Sequence, residues 1–153
     1  MWIHEEGHLL AARLLGIPLR RGSGGAFGIR LTFDFSRQGY GREAAVHLAG
    51  PLAGIAAAAL TAGIREDFAA VNAGLALVNL LPLEGFDGGG ILRCLLLGRC
   101  GPSSAERAAR AVSWAARCGM WLLAVRLALL PDPDAGLLFF AAGDLCRMLN
   151  QRE

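Results

Sequence analysis

Near its start the sequence reads His4-Glu5-Glu6-Gly7-His8, then runs almost entirely through leucine, alanine and arginine to Gly16. On a helix, residues four apart share a face, so His4 and His8 can present imidazole nitrogens to one metal ion. Glu5, next to the first histidine, can then reach a metal-bound water and take its proton. Zinc lowers the pKa of such a water towards neutrality, which makes hydroxide available for attack on a carbonyl. The plainer reading of the same residues is a polar helix start at a membrane edge, where the helix dipole favours Glu5 and Glu6.

A catalytic zinc site needs a third protein ligand and leaves one position to water. The candidates are His47, Glu84, Asp87, Asp34 and Asp144. Asp87 is favoured, because a carboxylate at membrane depth is costly without a partner and marks function. It lies in Glu84-Gly85-Phe86-Asp87-Gly88-Gly89-Gly90, where glycines let the chain unwind and turn the carboxylate towards another helix. His47, one turn before Pro51, reads as a buried or interfacial histidine rather than a ligand. Asn79 can hydrogen-bond a substrate backbone or a developing oxyanion, or can simply join two helices.

The elements that must carry these groups look membranous. Of 153 residues 54% are apolar and only 18% charged, and the mean hydropathy is positive, so a water-facing surface would be hard to cover. A net charge of +2 is too small to argue for nucleic acid. Cys94, Cys100, Cys118 and Cys146 show no CxxC spacing and read as small apolar thiols. No basic stretch followed by an apolar one opens the chain, so a cleavable signal peptide is not expected.

Residues Ala44 to Ile64 carry no formally charged side chain and would cover roughly 30 Å as a helix, about one hydrocarbon core. A second apolar stretch, Phe68 to Leu83, meets the acidic and glycine-rich segment that must break it. Two further helices are expected at 107–130 and 135–149. Either could lie on the surface, or span with its arginines snorkelling or facing protein. Arginine-rich connections (Arg20, Arg21, Arg30, Arg37, Arg42; Arg93, Arg99, Arg107, Arg110; Arg147, Arg152) alternate with poor ones at Arg65 and at Pro131-Asp132-Pro133-Asp134. That alternation suits an up-and-down bundle with its arginine-rich side in the cytoplasm.

Between the first helix and Ala44, Ile29, Leu31, Phe33 and Phe35 alternate with Arg30, Thr32, Asp34 and Ser36, the period of a strand. With the glycine-rich stretch before it, this predicts a small hairpin or sheet at the cytoplasmic boundary. That glycine-rich stretch lacks the lysine and following helix of a phosphate-binding loop. Gly50 and Gly54 form a GxxxG pair, read as close packing within the chain. The fold expected is an all-α polytopic membrane bundle with a broken third helix and this small β element, in one domain over 1–153 with its core motifs in 1–95.

Three motifs in order carry a resemblance. The His4–His8 segment, His47-Leu48-Ala49-Gly50-Pro51-Leu52-Ala53-Gly54, and Asn79-Leu80-Leu81-Pro82 running on to Asp87-Gly88 together resemble the site-2 protease family of intramembrane zinc metalloproteases. The compact layout, without a PDZ insertion, is most similar to the sporulation-type branch, the stage IV sporulation membrane protease. The resemblance covers roughly residues 1 to 95. It implies that His4, His8 and Asp87 bind one Zn2+, that Glu5 is the general base and that Asn79 assists catalysis. It also implies a membrane-tethered protein substrate cut in or near a transmembrane segment, in the lipid bilayer of a bacterial cell membrane. The active site would lie towards the cytoplasm, with a regulatory membrane protein as a further partner. The chain departs from the family pattern in having Phe86 where leucine is usual, and Gly54 where many relatives have asparagine. Only Met1, Trp2 and Ile3 precede His4, and a helix counted to Gly16 reaches roughly 24 Å, so the first span is expected to be truncated at its N-terminus. A catalytically silent module that binds or sequesters a client helix is the alternative. A metal transporter is disfavoured, since one compact site offers no series of polar stations across a bilayer.

Overall fold

The structure is a computed structural model that describes residues 2–25, 28–130 and 136–150. It is mostly helical: α1 (Trp2–Leu14), β1 (Leu19–Gly25), β2 (Gly28–Phe33), α2 (Tyr40–Thr61), α3 (Glu66–Asn79), α4 (Asp87–Leu97), α5 (Pro102–Ala128) and α6 (Gly136–Asn150). Helix α2 lies at the centre, with α1, α3 and α4 packed on it; α5 packs on α4, and α6 on α5.

Helix α1 ends because Gly16 takes a left-handed conformation, φ 67°. Its N–H then bonds Arg13 O at 3.1 Å, while the Ile17 N–H reaches back to Ala12 O at 2.8 Å. This is the double reverse bond that satisfies the last carbonyls of a helix, and a contact between Ile17 and Ala12 normally accompanies it. Here both residues are buried in one cluster with Val46 of α2, and Phe33 and Phe35 pack against it. The helix carrying the two histidines is therefore tied at its far end to α2 and to the hairpin.

The hairpin pairs β1 and β2 antiparallel, with Leu19 opposite Phe33 and Arg21 opposite Thr32, so Arg20 is the extra residue of a bulge. The strand ends at Phe33, short of the alternation that runs on to Phe35 in the sequence. Asp34 turns the chain instead: its N–H bonds Pro18 O, and its carboxylate accepts from the Ser36 N–H and the Arg20 guanidinium, each at 3.0 Å. Those bonds, Ser36's foremost, hold the Asp34 carboxyl down at about 2. Asp34 is thus engaged at the base of the hairpin and is no metal ligand.

Helices α3 and α4 are the two halves of the broken element. Leu80 and Leu81 close the end of α3 onto Ala76, Leu77 and Val78, and Pro82 cannot extend it. Gly85, at φ 91°, then turns the chain so that Asp87 opens α4. The linker folds so tightly over the first turn of α4 that a Cβ on Gly88 or Gly89 would run into the carbonyls of Leu80 or Leu83. From α5, buried Ser113 clasps the linker: its hydroxyl donates to Pro82 O and accepts from the Glu84 N–H, both at 2.9 Å.

Helix α5 begins at Pro102, five residues ahead of the expected 107, and ends at Ala128 rather than 130. Hydropathy puts its start too late, because the first turns are polar, whereas proline at the first helical position is what sets the boundary. Helix α6 runs to Asn150; residue 135, where it was expected to begin, lies outside the described residues. Several arginines assigned to connections (Arg42, Arg93, Arg107 and Arg110) stand within helices α2, α4 and α5. Among the described residues, α2 alone is both long and apolar enough to cross a membrane.

Candidate metal centre

Both histidines of α1 are buried, His4 at 4% and His8 at 7% exposure, although they sit in the first turns of an N-terminal helix. Their rings stand edge to face, 85° apart with centroids 4.7 Å distant, and the Nε2 atoms are 3.1 Å from each other. Asp87 joins them from the start of α4. Its Oδ2 lies 3.1 Å from His4 Nε2 and 3.3 Å from His8 Nε2. As the first residue of α4, Asp87 also meets the positive end of that helix.

The donor chemistry of this triangle suits a cation. His8 Nδ1 is 2.7 Å from the Val46 carbonyl, an acceptor, so Nδ1 carries the proton and Nε2 points its lone pair inward. His8 Nε2 and Asp87 Oδ2 thus meet as acceptors beside His4 Nε2, and with the His4 proton on Nδ1 all three atoms offer lone pairs to one cation. Ligands bound at zinc–nitrogen lengths in a tetrahedron stand about 3.3 Å apart, close to the three separations here. Orientation of a metal-binding histidine through its other nitrogen is the usual outer-sphere arrangement. His4 lacks that support: its Nδ1 is buried and has no hydrogen-bond partner among the described residues.

Helix α2 supplies the surroundings. Gly50 seats the His8 ring, for a Cβ built there would fall on the ring at Nε2. Gly7 lets α1 approach α2, since its Cβ would stand 2.6 Å from Ala49 O. Gly54, one turn beyond Gly50, serves another helix, lying against Asn72 O and Ala76 of α3. Gly50→Ala is therefore expected to displace His8 and lower zinc affinity at least tenfold, whereas Gly54→Ala, with contacts of 3.3 and 3.4 Å, leaves it within about threefold. Zinc titration of the two variants in detergent checks this pair.

The remaining candidates fall in different places. Glu5 is half-buried on α1 and within electrostatic reach of His4, His8 and Asp87. Asn79 donates to Leu75 O at 2.9 Å, one turn back in its own helix, and among the described residues its side chain makes no bond to another helix. Glu84 is exposed, and its backbone N–H is engaged by Ser113. Asp144 is buried against Arg117, with Nε to Oδ2 at 2.7 Å. His47 does not join the triangle; its Nδ1 lies 3.1 Å from the other Asp87 oxygen, Oδ1. Sequence reasoning missed that contact, because nothing local in the chain relates residues 47 and 87.

No protein-family model matches the sequence, and no curated protein does. Among solved structures, the chain is similar to the Site-2 Protease from Methanocaldococcus jannaschii, with a TM-score of 0.64 and 21% sequence identity. The match takes in 80% of this chain and 62% of the length of that one, and what it shows is a shared fold.

Proposed function

We propose that the chain is an intramembrane zinc metalloendopeptidase, cutting a peptide bond in or near a transmembrane segment of a membrane-tethered protein. The observation that carries this reading is the convergence of His4 Nε2, His8 Nε2 and Asp87 Oδ2, with half-buried Glu5 on the same helix as the histidines and within electrostatic reach of all three. His4, His8 and Asp87 would hold one zinc ion. When bound, zinc supplies Lewis acidity, which acidifies water and polarises a carbonyl.

The chain's own residues do the rest. Val46 O keeps His8 in the tautomer that can bind metal. Glu5 takes a proton from water as the nucleophile forms, then gives it to the amide nitrogen that leaves. Asn79, once its amide swings from Leu75 O, holds the substrate backbone or the oxygen on which charge develops.

The membrane reading rests on α2, whose 22 residues would span roughly 33 Å. It rests also on the apolar outer surface: Leu52, Leu60, Leu77, Leu122 and Phe139 are all more than half exposed. Arg117 of α5 is turned inward onto Asp144, so α5 need not present that charge to lipid. We read the chain as multi-pass in a bacterial cell membrane, with the arginine-rich ends and the site towards the cytoplasm. A regulatory membrane protein is a further partner in this reading. The sporulation-type layout is carried from the sequence motifs alone.

Co-reconstitution of the chain with a single-span substrate tests the proposal. Expected is a product cut within or beside the span, lost on chelation and restored by zinc. Processing that chelation leaves untouched would overturn it.

A further inference from the structure

Two consecutive residues of α2 address two different ligands of the proposed centre. The backbone of Val46 accepts from His8, and the side chain of His47 meets Asp87. With Oδ2 of Asp87 turned to His4 and His8, Oδ1 is left at 3.1 Å from His47 Nδ1. A carboxylate oxygen accepts, so Nδ1 carries the proton and donates. The carboxylate is thereby held at both oxygens, which fixes its plane and presents a single oxygen to the cation. His47 is itself confined. A Cβ on Gly90 would stand 2.7 Å from its Nε2, so only glycine leaves room for the ring, and Phe35 lies tilted nearby with centroids 6.0 Å apart.

We propose that His47 is a positioning residue for the metal centre: it does not bind zinc, but its Nδ1–H aligns Asp87 for binding it. This inference rests on the zinc reading above. Outer-sphere partners of this kind typically carry ten- to a hundredfold in metal affinity.

The test is competition for zinc between a chromophoric chelator and the full chain in detergent, for native protein, His47→Leu and His47→Asn. Leucine keeps bulk without a donor, whereas the asparagine amide sits close to the place of Nδ1. Expected is zinc affinity lowered about ten- to a hundredfold in His47→Leu and returned to within about threefold of native in His47→Asn. Equal affinity in native and His47→Leu overturns the proposal and leaves the zinc site standing. An equal loss in His47→Leu and His47→Asn overturns it too, since volume and not the hydrogen bond would then matter. A native chain that takes up no zinc overturns both readings. Should circular dichroism show His47→Leu unfolded, Gly90→Ala, which pushes the ring aside, carries the same test: a comparable loss supports the proposal and unchanged affinity overturns it.

Discussion

Replacing Glu5 by glutamine is expected to cut peptide cleavage by orders of magnitude while leaving zinc bound. Glutamine has nearly the shape of glutamate, and residue 5 is outside the triangle of His4, His8 and Asp87, so the metal site should survive the change. What is lost is the capacity to take a proton from water and hand it to the leaving nitrogen. A positioned general base contributes roughly 10²- to 10⁴-fold, so cleavage should fall by about that factor in kcat. A proteoliposome assay with zinc content measured on the same samples checks both halves. Undiminished turnover would remove Glu5 from the mechanism. Lost turnover together with lost zinc would make Glu5 part of the metal site instead.

The second large effect is expected outside the proposed centre, at Asp144. Its carboxylate and the Arg117 guanidinium are 2.7 Å apart with side chains only 2% and 5% exposed, and Arg117 also stands 5.7 Å from the ring centre of Trp114. Asp144→Ala leaves that guanidinium buried and unpaired, which costs about 3–5 kcal/mol in comparable buried pairs. The thermal midpoint in detergent should drop markedly. Asp144→Leu combined with Arg117→Met should recover most of the loss, since neither residue then buries a charge. The pair is already imperfect, because Asp144 Oδ1 is buried without a hydrogen-bond partner among the described residues. A midpoint unchanged in Asp144→Ala would mean that the bridge does not hold α6 to α5.

These two cases show what can be read along the chain and what cannot. His4 and His8 are legible because a helix places residues four apart on one face, and a periodic rule needs no knowledge of the fold. Asp87 is legible from a different cue, an acidic residue among glycines where an apolar helix must break. The hairpin is visible in its alternation, although Asp34 ends it two residues early by gathering Ser36 and Arg20 around its carboxylate. Arg117 could be expected to snorkel or to face protein. Its choice depends on Asp144, 27 residues away on the next helix. Asp144 in turn could pass for a metal ligand until that pairing is known.

The same limit applies to His47, Gly50, Gly90 and Ser113. Each acts on a residue brought near only by packing, and an isolated glycine in an apolar helix looks the same whether it seats a ring or merely fills space. Gly50 and Gly54 share one motif yet face α1 and α3 respectively. The start of α5 is another matter, since Gly101-Pro102 is a local helix-start signal that hydropathy overlooks.

Whether one cation joins α1 to α4 can be measured without any substrate. The purified native chain, loaded and desalted, should hold one zinc per polypeptide, and its X-ray absorption spectrum should show two imidazole nitrogens among ligands at about 2.0–2.1 Å. Asp87→Ala, with native helix content by circular dichroism, should lose that zinc. A native chain without bound zinc, or an Asp87→Ala variant that binds it undiminished with the same spectrum, would contradict the assignment of His4, His8 and Asp87 to a single metal ion.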